Sequence, residues 1–308
     1  MTLALLLLGG ISLLLLGGHY LVSHAVSIAA RLRVPPLVIG LTIVAFGTSA
    51  PELVISIDAV LTGHDDIVIG NIIGSNIANL LLVLAVSALI FPVTVIKATV
   101  WREGAVLIAA ALLFALLARD GVFSMFDGAV MLTCLAGYTA LAFLVPAHSN
   151  AADTDGPAMV GGGLARDLIF MTGALAALAL GSHLFVDGAV RLSLRLGVSE
   201  AVIGLTVVAI GTAAPEIVTA AIAAWNRKTD VALGNVIGSS IFNLLGITGA
   251  TALVSPIAVD AGFLGVDFRL MLGASVTLVA GGLILGRLGR GAGALMLLAY
   301  VVYIVQLG

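Results

Sequence analysis

The chain has 308 residues, of which 61% are hydrophobic and only 9% are charged, and its formal net charge is −3. A soluble domain carries about 25% charged residues, so this composition excludes an ordinary soluble globular protein. Apolar runs recur from end to end, and a run of about 20 apolar residues is long enough to cross a bilayer. We therefore expect a polytopic membrane protein. Because Cys134 is the single cysteine, an intrachain disulfide is excluded.

Apolar segments follow one another along the chain, and we predict an all-α membrane protein with ten transmembrane helices. The segment nearest the N-terminus lacks the basic start of a signal peptide, so we expect it to be retained as the first span. The predicted spans cover residues 3–29, 36–62, 66–90, 100–118, 124–146, 167–193, 200–224, 230–254, 268–287 and 291–307.

The longest polar stretch runs from Pro146 to Arg166, and we interpret it as a short flexible linker. Basic residues favour cytoplasmic loops. If both termini lie outside the cytoplasm, most of the Lys and Arg residues fall inside, and so does the linker. We therefore expect this orientation in the inner (plasma) membrane. The residues placed inside are Arg31, Arg33, Lys97, Arg102, Arg166, Arg227, Lys228, Arg287 and Arg290.

An internal repeat relates the two halves of the chain. The segment GLTIVAFGTSAPELV begins at Gly40 and GLTVVAIGTAAPEIV begins at Gly204, an offset of 164 residues (204 minus 40). The same offset aligns DIVIGNIIGSNIANLL from Asp66 with DVALGNVIGSSIFNLL from Asp230. Such agreement over long apolar segments indicates a duplication.

Each half holds five predicted spans, and an odd number forces the second half to enter the membrane upside down. Inverted repeats are typical of transporters, with the substrate site near the midplane between the repeats. We predict a first repeat over residues 1–146, a cytoplasmic linker over 147–166 and a second repeat over 167–308. A duplicated structural bundle without transport is disfavoured, because the best-matched residues are polar and lie inside spans.

The first motif lies in the middle of the second span. Pro51 has no N–H and its ring pushes away the carbonyl of Gly47, four residues earlier, so the helix is weakened there. Thr48 and Ser49 add hydroxyls, and Glu52 adds a carboxylate one turn beyond Thr48. Backbone oxygens freed in hydrocarbon need a cation, water or hydroxyl partners. The second half repeats the motif with Ala209, Gly211, Thr212, Ala213, Pro215 and Glu216.

The oxygens of this motif predict a cation site. Ala45, Thr48 and Glu52 share one helical face, and hard oxygen ligands suit Ca²⁺ and Na⁺ rather than Zn²⁺ or copper. A buried ionisable residue in a span is by default a functional candidate, and here Glu52 has the symmetric partner Glu216. One Ca²⁺ or two monovalent ions would neutralise both carboxylates, which gives a physical basis for exchange.

The second motif begins at Gly70 and continues through Ser75 to Asn79. Gly70 and Gly74 form a pair of small residues that lets helices approach closely. Ser75 and Asn79 lie four residues apart, so they can present a hydroxyl and an amide oxygen to one site. The alternative is that both are interhelical hydrogen-bonding residues. The copy of this motif contains Gly234, Asn235, Gly238, Ser239 and Asn243.

These paired motifs resemble those of the cation/calcium exchanger superfamily, in particular its prokaryotic sodium/calcium exchangers, over nearly the whole chain. The resemblance implies a four-helix core that coordinates the ions, while the first and sixth helices slide across it to alternate access. It implies no cofactor, no protein or nucleic-acid partner, and Ca²⁺ and Na⁺ as transported ions within the bilayer. The implied metal-binding residues are Glu52, Glu216, Asn79, Asn243, Thr48, Ser49, Thr212, Ser75, Ser239 and the carbonyls of Ala45 and Ala209.

Two residues depart from the family pattern. Ala213 stands where the pattern usually has serine, so the second half lacks the hydroxyl that Ser49 supplies in the first. Asn243 stands where well-understood prokaryotic members carry aspartate, which leaves two carboxylates in the core. The two departures bear on the ion stoichiometry and on which ion drives transport.

The resulting expectation is a secondary antiporter that exchanges Na⁺ for Ca²⁺ and exports Ca²⁺. A H⁺/Ca²⁺ antiporter is the alternative, because Asn243 departs from the pattern and because His19 and His183 are symmetric and could titrate near neutral pH. They could equally be structural residues. A cation channel is a further alternative, since broken helices and carboxylates also occur in pores. An enzyme is disfavoured, because no nucleophile–base pair appears at a plausible spacing.

Overall fold

A computed structural model describes residues 3–145, 163–197, 209–260, 262 and 265–307. Within these ranges the chain is almost entirely helical. The predicted linker lies outside them up to residue 162, and so does the start of the predicted seventh span. The described helices are α1 (Leu3–Leu32), α2 (Pro36–Thr48), α3 (Ala50–Leu61), α4 (Asp65–Ile90), α5 (Lys97–Asp120), α6 (Met125–Leu144), α7 (Leu164–Arg195), α8 (Ala209–Thr212), α9 (Ala214–Trp225), α10 (Thr229–Val254), α11 (Val266–Leu285) and α12 (Arg290–Leu307).

Seven of the described helices are long and apolar enough to cross a membrane, and the bent pair α2–α3 makes an eighth. Two shorter apolar helices, α9 and α12, follow the same order as the predicted spans. Helix α7 begins at Leu164, three residues before the start of the predicted sixth span. The chain is thus a helical, multi-pass membrane protein.

Two short antiparallel strand pairs join the halves of the chain, which the all-α prediction did not include. Strand β1 (Val93–Thr94) pairs with β4 (Arg287–Leu288), and β2 (Val122–Phe123) pairs with β3 (Ile257–Ala258). Prolines end the helices before β1 and β3, and β-branched residues suit the extended backbone that follows. Strands β1 and β3 differ by 164 residues (257 minus 93), and β2 and β4 by 165 (287 minus 122). The two pairings are therefore equivalent under the internal repeat.

Glycines allow the central helices to approach closely. A Cβ added at Gly238 would lie 2.3 Å from the carbonyl oxygen of Leu41, and one at Gly234 would lie 2.6 Å from that of Leu37. Helix α10 therefore packs directly on the backbone of α2, as the motif predicted for the second half. At Gly74, the equivalent of Gly238, no atom of the described residues lies within 4 Å of such a Cβ.

Candidate functional site

Both glutamate motifs form breaks between two helices. Helix α2 ends at Thr48, and α3 begins at Ala50 with an axis bent by 43°. Ser49 lies at the break, and its backbone (φ −87°, ψ 8°) is outside the helical region. Glu52 therefore occupies the first turn of α3 rather than a regular face shared with Ala45 and Thr48, which corrects the single-face prediction. A helix N-terminus carries partial positive charge, so a carboxylate is favourable in its first turn.

The second half repeats this break. Helix α8 ends at Thr212, Ala213 has φ −79° and ψ 1°, and α9 begins at Ala214 with Glu216 in its first turn. Pro215 takes the early helical position at which its missing N–H costs no intrahelical bond. Each glutamate thus lies in the first turn of the helix that begins where the predicted span is broken.

The two carboxylates are buried together in the middle of the molecule. Glu52 and Glu216 are each only 2% exposed, and they are neighbours in the interior. The hydroxyl of Ser49 donates to Oε1 of Glu216 over 3.3 Å. Within the described residues, Oε2 of each glutamate has no hydrogen-bond partner. A buried carboxylate oxygen without a donor is costly, so this arrangement suits a cation as the missing partner.

Neutral oxygens from both halves converge beside Glu216. The hydroxyl of Thr48 lies 3.2 Å from the carbonyl oxygen of Ala45 and 3.2 Å from Oδ1 of Asn235. Ser239 donates to the same Ala45 carbonyl over 3.3 Å. Because Asn235 and Ser239 come from α10, two elements of opposite halves share one cluster of hard oxygens.

Asn71 organises the equivalent region of the first half. Its Nδ2 donates to the backbone carbonyl of Glu52 over 3.1 Å and to Ser56 Oγ over 2.9 Å. The hydroxyl of Ser75 donates in turn to Oδ1 of Asn71 over 3.4 Å. The sequence reasoning placed Asn71 and Asn235 in the motif but gave them no role. Their recurrence at the repeat offset was the signal that could have identified them.

Asn79 and Asn243 lie at widened helical turns. Residues Asn79–Val83 and Phe242–Ile247 are π-helical, and this rare geometry is frequent at functional sites. Both side chains are buried, with exposures of 2% and 1%. Oδ1 of Asn243 has no hydrogen-bond partner among the described residues, so it is one more oxygen available to a cation.

For the predicted ligands Thr212 and Ala209, the structure gives the position in the helix. Thr212 ends α8 and is half-buried, and Ala209 begins the same helix. The direct contacts thus bring together Ala45, Thr48, Ser49, Ser239 and Glu216. Glu52 is the equivalent of Glu216 in the first half and is equally buried.

The symmetric histidines lie away from this cluster. His19 and His183 are both exposed, on the outer surfaces of α1 and α7. His24, to which the sequence reasoning gave no role, is instead buried, and its Nδ1 lies 2.8 Å from Oδ1 of the fully buried Asp167. Arg31 donates to the other oxygen of Asp167 over 2.5 Å. This polar cluster joins α1 to α7.

The donor set has the chemistry of a hard-cation site. Across the described ranges, no group of three or more His, Cys, Asp or Glu side chains could hold a metal ion. The central oxygens are instead two carboxylates accompanied by hydroxyls, amides and a carbonyl. Such oxygens suit Ca²⁺ and similar ions. With only two carboxylates among the ligands, a bound cation could also be released.

Comparisons with known proteins agree with this geometry. A family profile described as "Sodium/calcium exchanger protein" matches residues 2–144 and 167–307. The putative antiporter CaxA of Alkalimonas amylolytica is 36% identical over 305 residues, which cover 96% of this chain and 95% of that protein. The sodium/calcium exchanger MaX1 of Methanosarcina acetivorans is 32% identical, with 98% and 97% covered.

Further similarity extends to a bacterial membrane protein and to a solved structure. Inner membrane protein YrbG of Escherichia coli is 31% identical, with 98% of this chain and 95% of that protein covered. The sodium-calcium exchanger NCX_Mj, soaked with 2.5 mM Na⁺ and 0.1 mM Ca²⁺, matches with a TM-score of 0.84 at 32% identity, covering 98% of this chain and 97% of that chain. The chain therefore belongs to the sodium/calcium exchanger family.

Proposed function

We propose that this protein exchanges Na⁺ for Ca²⁺ by alternating access and exports Ca²⁺ from the cytoplasm. As a member of an exchanger family it is an antiport transporter rather than an enzyme. The observation that carries the proposal is the buried pair Glu52 and Glu216, in which one oxygen of each carboxylate has no donor among the described residues. The names of MaX1 and NCX_Mj support the choice of ions.

Charge balance explains how one site can serve both ions. A single Ca²⁺ neutralises Glu52 and Glu216 together, and so do two Na⁺. The site would then be electrically satisfied in either loaded state, whereas two ionised carboxylates without a cation would repel each other in a low-dielectric interior. Movement between the two access states is favoured only when the charges are neutralised, which couples the fluxes of the two ions.

The proposed ligand set extends beyond the glutamates. It combines the carboxylates with hydroxyls, amide oxygens and two backbone carbonyls, as expected for hard cations. Its members are Glu52, Glu216, Asn79, Asn243, Thr48, Ser49, Thr212, Ser75 and Ser239, together with the carbonyls of Ala45 and Ala209.

The proposed architecture is ten transmembrane helices in two inverted five-helix repeats, residues 1–146 and 167–308, joined by the cytoplasmic linker 147–166. The equivalent strand pairs β1–β4 and β2–β3 support it, since each joins one half to the other at the repeat offset. The excess of Lys and Arg in alternate loops supports an orientation with both termini outside the cytoplasm, and the name of YrbG supports the inner membrane.

The test is uptake of ⁴⁵Ca²⁺ into proteoliposomes loaded with Na⁺ and diluted into Na⁺-free buffer, with the pH clamped by an ionophore. We expect uptake that requires internal Na⁺ and is lost in Glu52→Gln. The matched control is Glu103→Gln, because Glu103 is equally buried but bonds Tyr138 instead of facing the site. Uptake driven by a proton gradient and indifferent to Na⁺ would favour the H⁺/Ca²⁺ alternative. Current without any counter-ion would favour a channel.

A further inference from the structure

Helices α11 and α12 follow one another in the chain, yet a groove separates them along most of their length. They make few contacts with each other, because each packs on α4, and α11 packs on α5 as well. The groove has a volume of about 450 Å³. Sites for small molecules in proteins usually measure about 300–1,000 Å³, so the groove is large enough to hold a ligand.

The two helices are linked at both ends of the groove. At one end, residues 286–289 connect α11 to α12. At the other end, the hydroxyl of Tyr303 in α12 donates to the carboxylate of Asp267 in the first turn of α11. The helices are therefore antiparallel and fixed at each end, and the gap between them is a feature of the fold rather than the opening of a splayed pair.

Small and aliphatic residues line the groove. A Cβ added at Gly273 or at Gly281 would meet no atom of the described residues within 4 Å, so these glycines leave open space instead of allowing a close helix contact. Met296 and Ala299 contribute to the opposite wall. The floor is Leu81, which is only 7% exposed and belongs to the π-helical turn of α4. The groove therefore reaches the core of the protein.

Arg269 lies at the end of the groove where Tyr303 bonds Asp267. Its side chain is exposed, and its Nε donates to the carbonyl of Gly265 over 2.9 Å. Among the described residues, no carboxylate forms an ion pair with it. A guanidinium group with free N–H donors matches the geometry of a phosphate. The groove thus combines an apolar channel with a phosphate-binding group at one end.

We propose that the groove between α11 and α12 binds one acyl chain of a phospholipid, with the phosphate of that lipid against Arg269. From Arg269 to Gly281 helix α11 rises about 18 Å, which is close to one leaflet of a hydrocarbon core about 30 Å thick. A chain in the groove contacts α11, α12 and Leu81 together, whereas a lipid on the outer surface of the protein contacts only outward-facing side chains. A free phosphate ion is disfavoured, because the apolar walls offer it no further donor.

The experiment is photolabelling of the protein in phosphatidylcholine vesicles that contain a trace of phosphatidylcholine with a diazirine midway along one acyl chain. We expect mass spectrometry to find the label concentrated on residues 273–281 and 292–299. Gly281→Leu and Thr277→Leu each fill the groove and should reduce this labelling at least about fivefold, which corresponds to about 1 kcal/mol of lost binding. The matched control is Gly137→Leu, because Gly137 is also exposed, with no described atom within 4 Å of an added Cβ, but lies on α6.

A second measurement tests the phosphate contact with diacylglycerol that carries the same labelled chain but has no phosphate. Arg269→Gln should lower phosphatidylcholine labelling of the groove at least about fivefold and leave diacylglycerol labelling unchanged. Arg269→Lys, which keeps the charge, should restore part of the loss, and Arg119→Gln, which removes an exposed arginine elsewhere, should have no effect. An equal loss with both probes would contradict the role of Arg269.

Labelling of the groove no stronger than that of the outer face of α6, and indifferent to Gly281→Leu and Thr277→Leu, would show only the lipid that surrounds any membrane protein and would overturn the inference. The label reports lipid binding without any ion flux, so the result does not depend on the proposed function.

Discussion

Ser49 and Ala213 occupy equivalent backbone positions in the two halves, yet they leave the two glutamates in unequal surroundings. Ser49 donates a hydrogen bond to Glu216, whereas the methyl group of Ala213 can offer nothing to Glu52. Ala213 is buried, with 5% exposure, so solvent does not replace the missing hydroxyl. The difference bears on Na⁺ in particular, because a monovalent ion relies more on neutral oxygens than Ca²⁺ does.

Restoring this hydroxyl should strengthen Na⁺ binding. In Ala213→Ser we expect the Na⁺ concentration for half-maximal Ca²⁺ exchange to fall about fivefold, since one added neutral oxygen contributes about 1 kcal/mol. Ser49→Ala should shift it upward by a similar factor. The measurement is Ca²⁺ flux in proteoliposomes as a function of internal Na⁺. Unchanged Na⁺ dependence in both variants would contradict a ligand role for these positions.

Neutralising one carboxylate should stabilise the protein when Ca²⁺ is removed. In chelator, Glu52→Gln is expected to raise the thermal unfolding midpoint, because a neutral amide replaces one of two neighbouring buried carboxylates that have no cation between them. An unsatisfied buried group costs roughly 1–3 kcal/mol, which corresponds to about 2–10 °C. The same variant should lose the stabilisation that Ca²⁺ gives the parent.

Glu103→Gln is the control for that measurement. It disturbs the hydrogen bond from Tyr138 and should lower the midpoint while preserving the response to Ca²⁺. If Glu52→Gln instead lowers the midpoint in chelator as much as Glu103→Gln does, the two central carboxylates do not repel in the ion-free protein.

The positions of His19 and His183 disfavour a role for these residues in proton coupling. Both are exposed on the outside of the α1–α7 pair. The double variant His19→Gln, His183→Gln should therefore keep Ca²⁺ flux within about twofold of the parent across roughly pH 5 to 8, where histidine ordinarily changes charge. The measurement is flux against pH at a fixed Na⁺ gradient. A flatter dependence of flux on pH in the double variant would indicate that the two histidines take part in proton coupling.

At the scale of helices, the contact between α2 and α10 holds Thr48 and Ala45 against Asn235 and Ser239. It depends on Gly238, because a Cβ added at this position would lie only 2.3 Å from the carbonyl oxygen of Leu41. The equivalent contact at Gly74 is open toward the described residues. A pair of equivalent glycines with opposite surroundings offers a matched comparison.

Gly238→Ala should destabilise the protein, because the new methyl group forces α10 away from α2. Overpacking costs roughly 1–3 kcal/mol, or about 2–10 °C in the unfolding midpoint. Gly74→Ala should leave the midpoint unchanged or raise it slightly, since alanine is favoured over glycine within a helix by up to about 1 kcal/mol. Equal effects of the two substitutions would contradict the close approach at Gly238.

The helix breaks show which structural features a sequence motif can predict and which it cannot. Pro51 and Gly47 correctly predicted a weakened helix, because a proline excludes a hydrogen bond at a known place. The motif did not show that α2 and α3 would bend by 43°, nor that Asn79 and Asn243 would lie in π-helical turns. Both features depend on how neighbouring helices pack around the break, which no local pattern records.

At the scale of the whole molecule, the repeat offset of 164 residues relates elements of the two halves of the chain. It matched α1 to α7 and α4 to α10, and it related the glutamates before any contact was known. The offset could not predict features that are confined to one half of the chain. The cluster of His24, Arg31 and Asp167 was missed because Asp167 corresponds to Leu3, and a residue without a counterpart gives no repeat signal.

Contacts between segments distant in the sequence were also unpredicted. Strands β1 and β4 are two residues each and are separated by most of the chain, so neither carries a recognisable strand pattern.

The most direct test of the central claim, that Glu52 and Glu216 form one site used in turn by Ca²⁺ and Na⁺, is equilibrium binding of ⁴⁵Ca²⁺ to the purified protein during titration with Na⁺. We expect saturable Ca²⁺ binding that Na⁺ displaces cooperatively. Glu52→Gln and Glu216→Gln should each weaken it by about 100-fold or more, because breaking a buried charged set costs roughly 3–5 kcal/mol, while Glu103→Gln should bind normally. Undiminished Ca²⁺ binding by a folded Glu52→Gln, Glu216→Gln double variant would place the site elsewhere in the molecule.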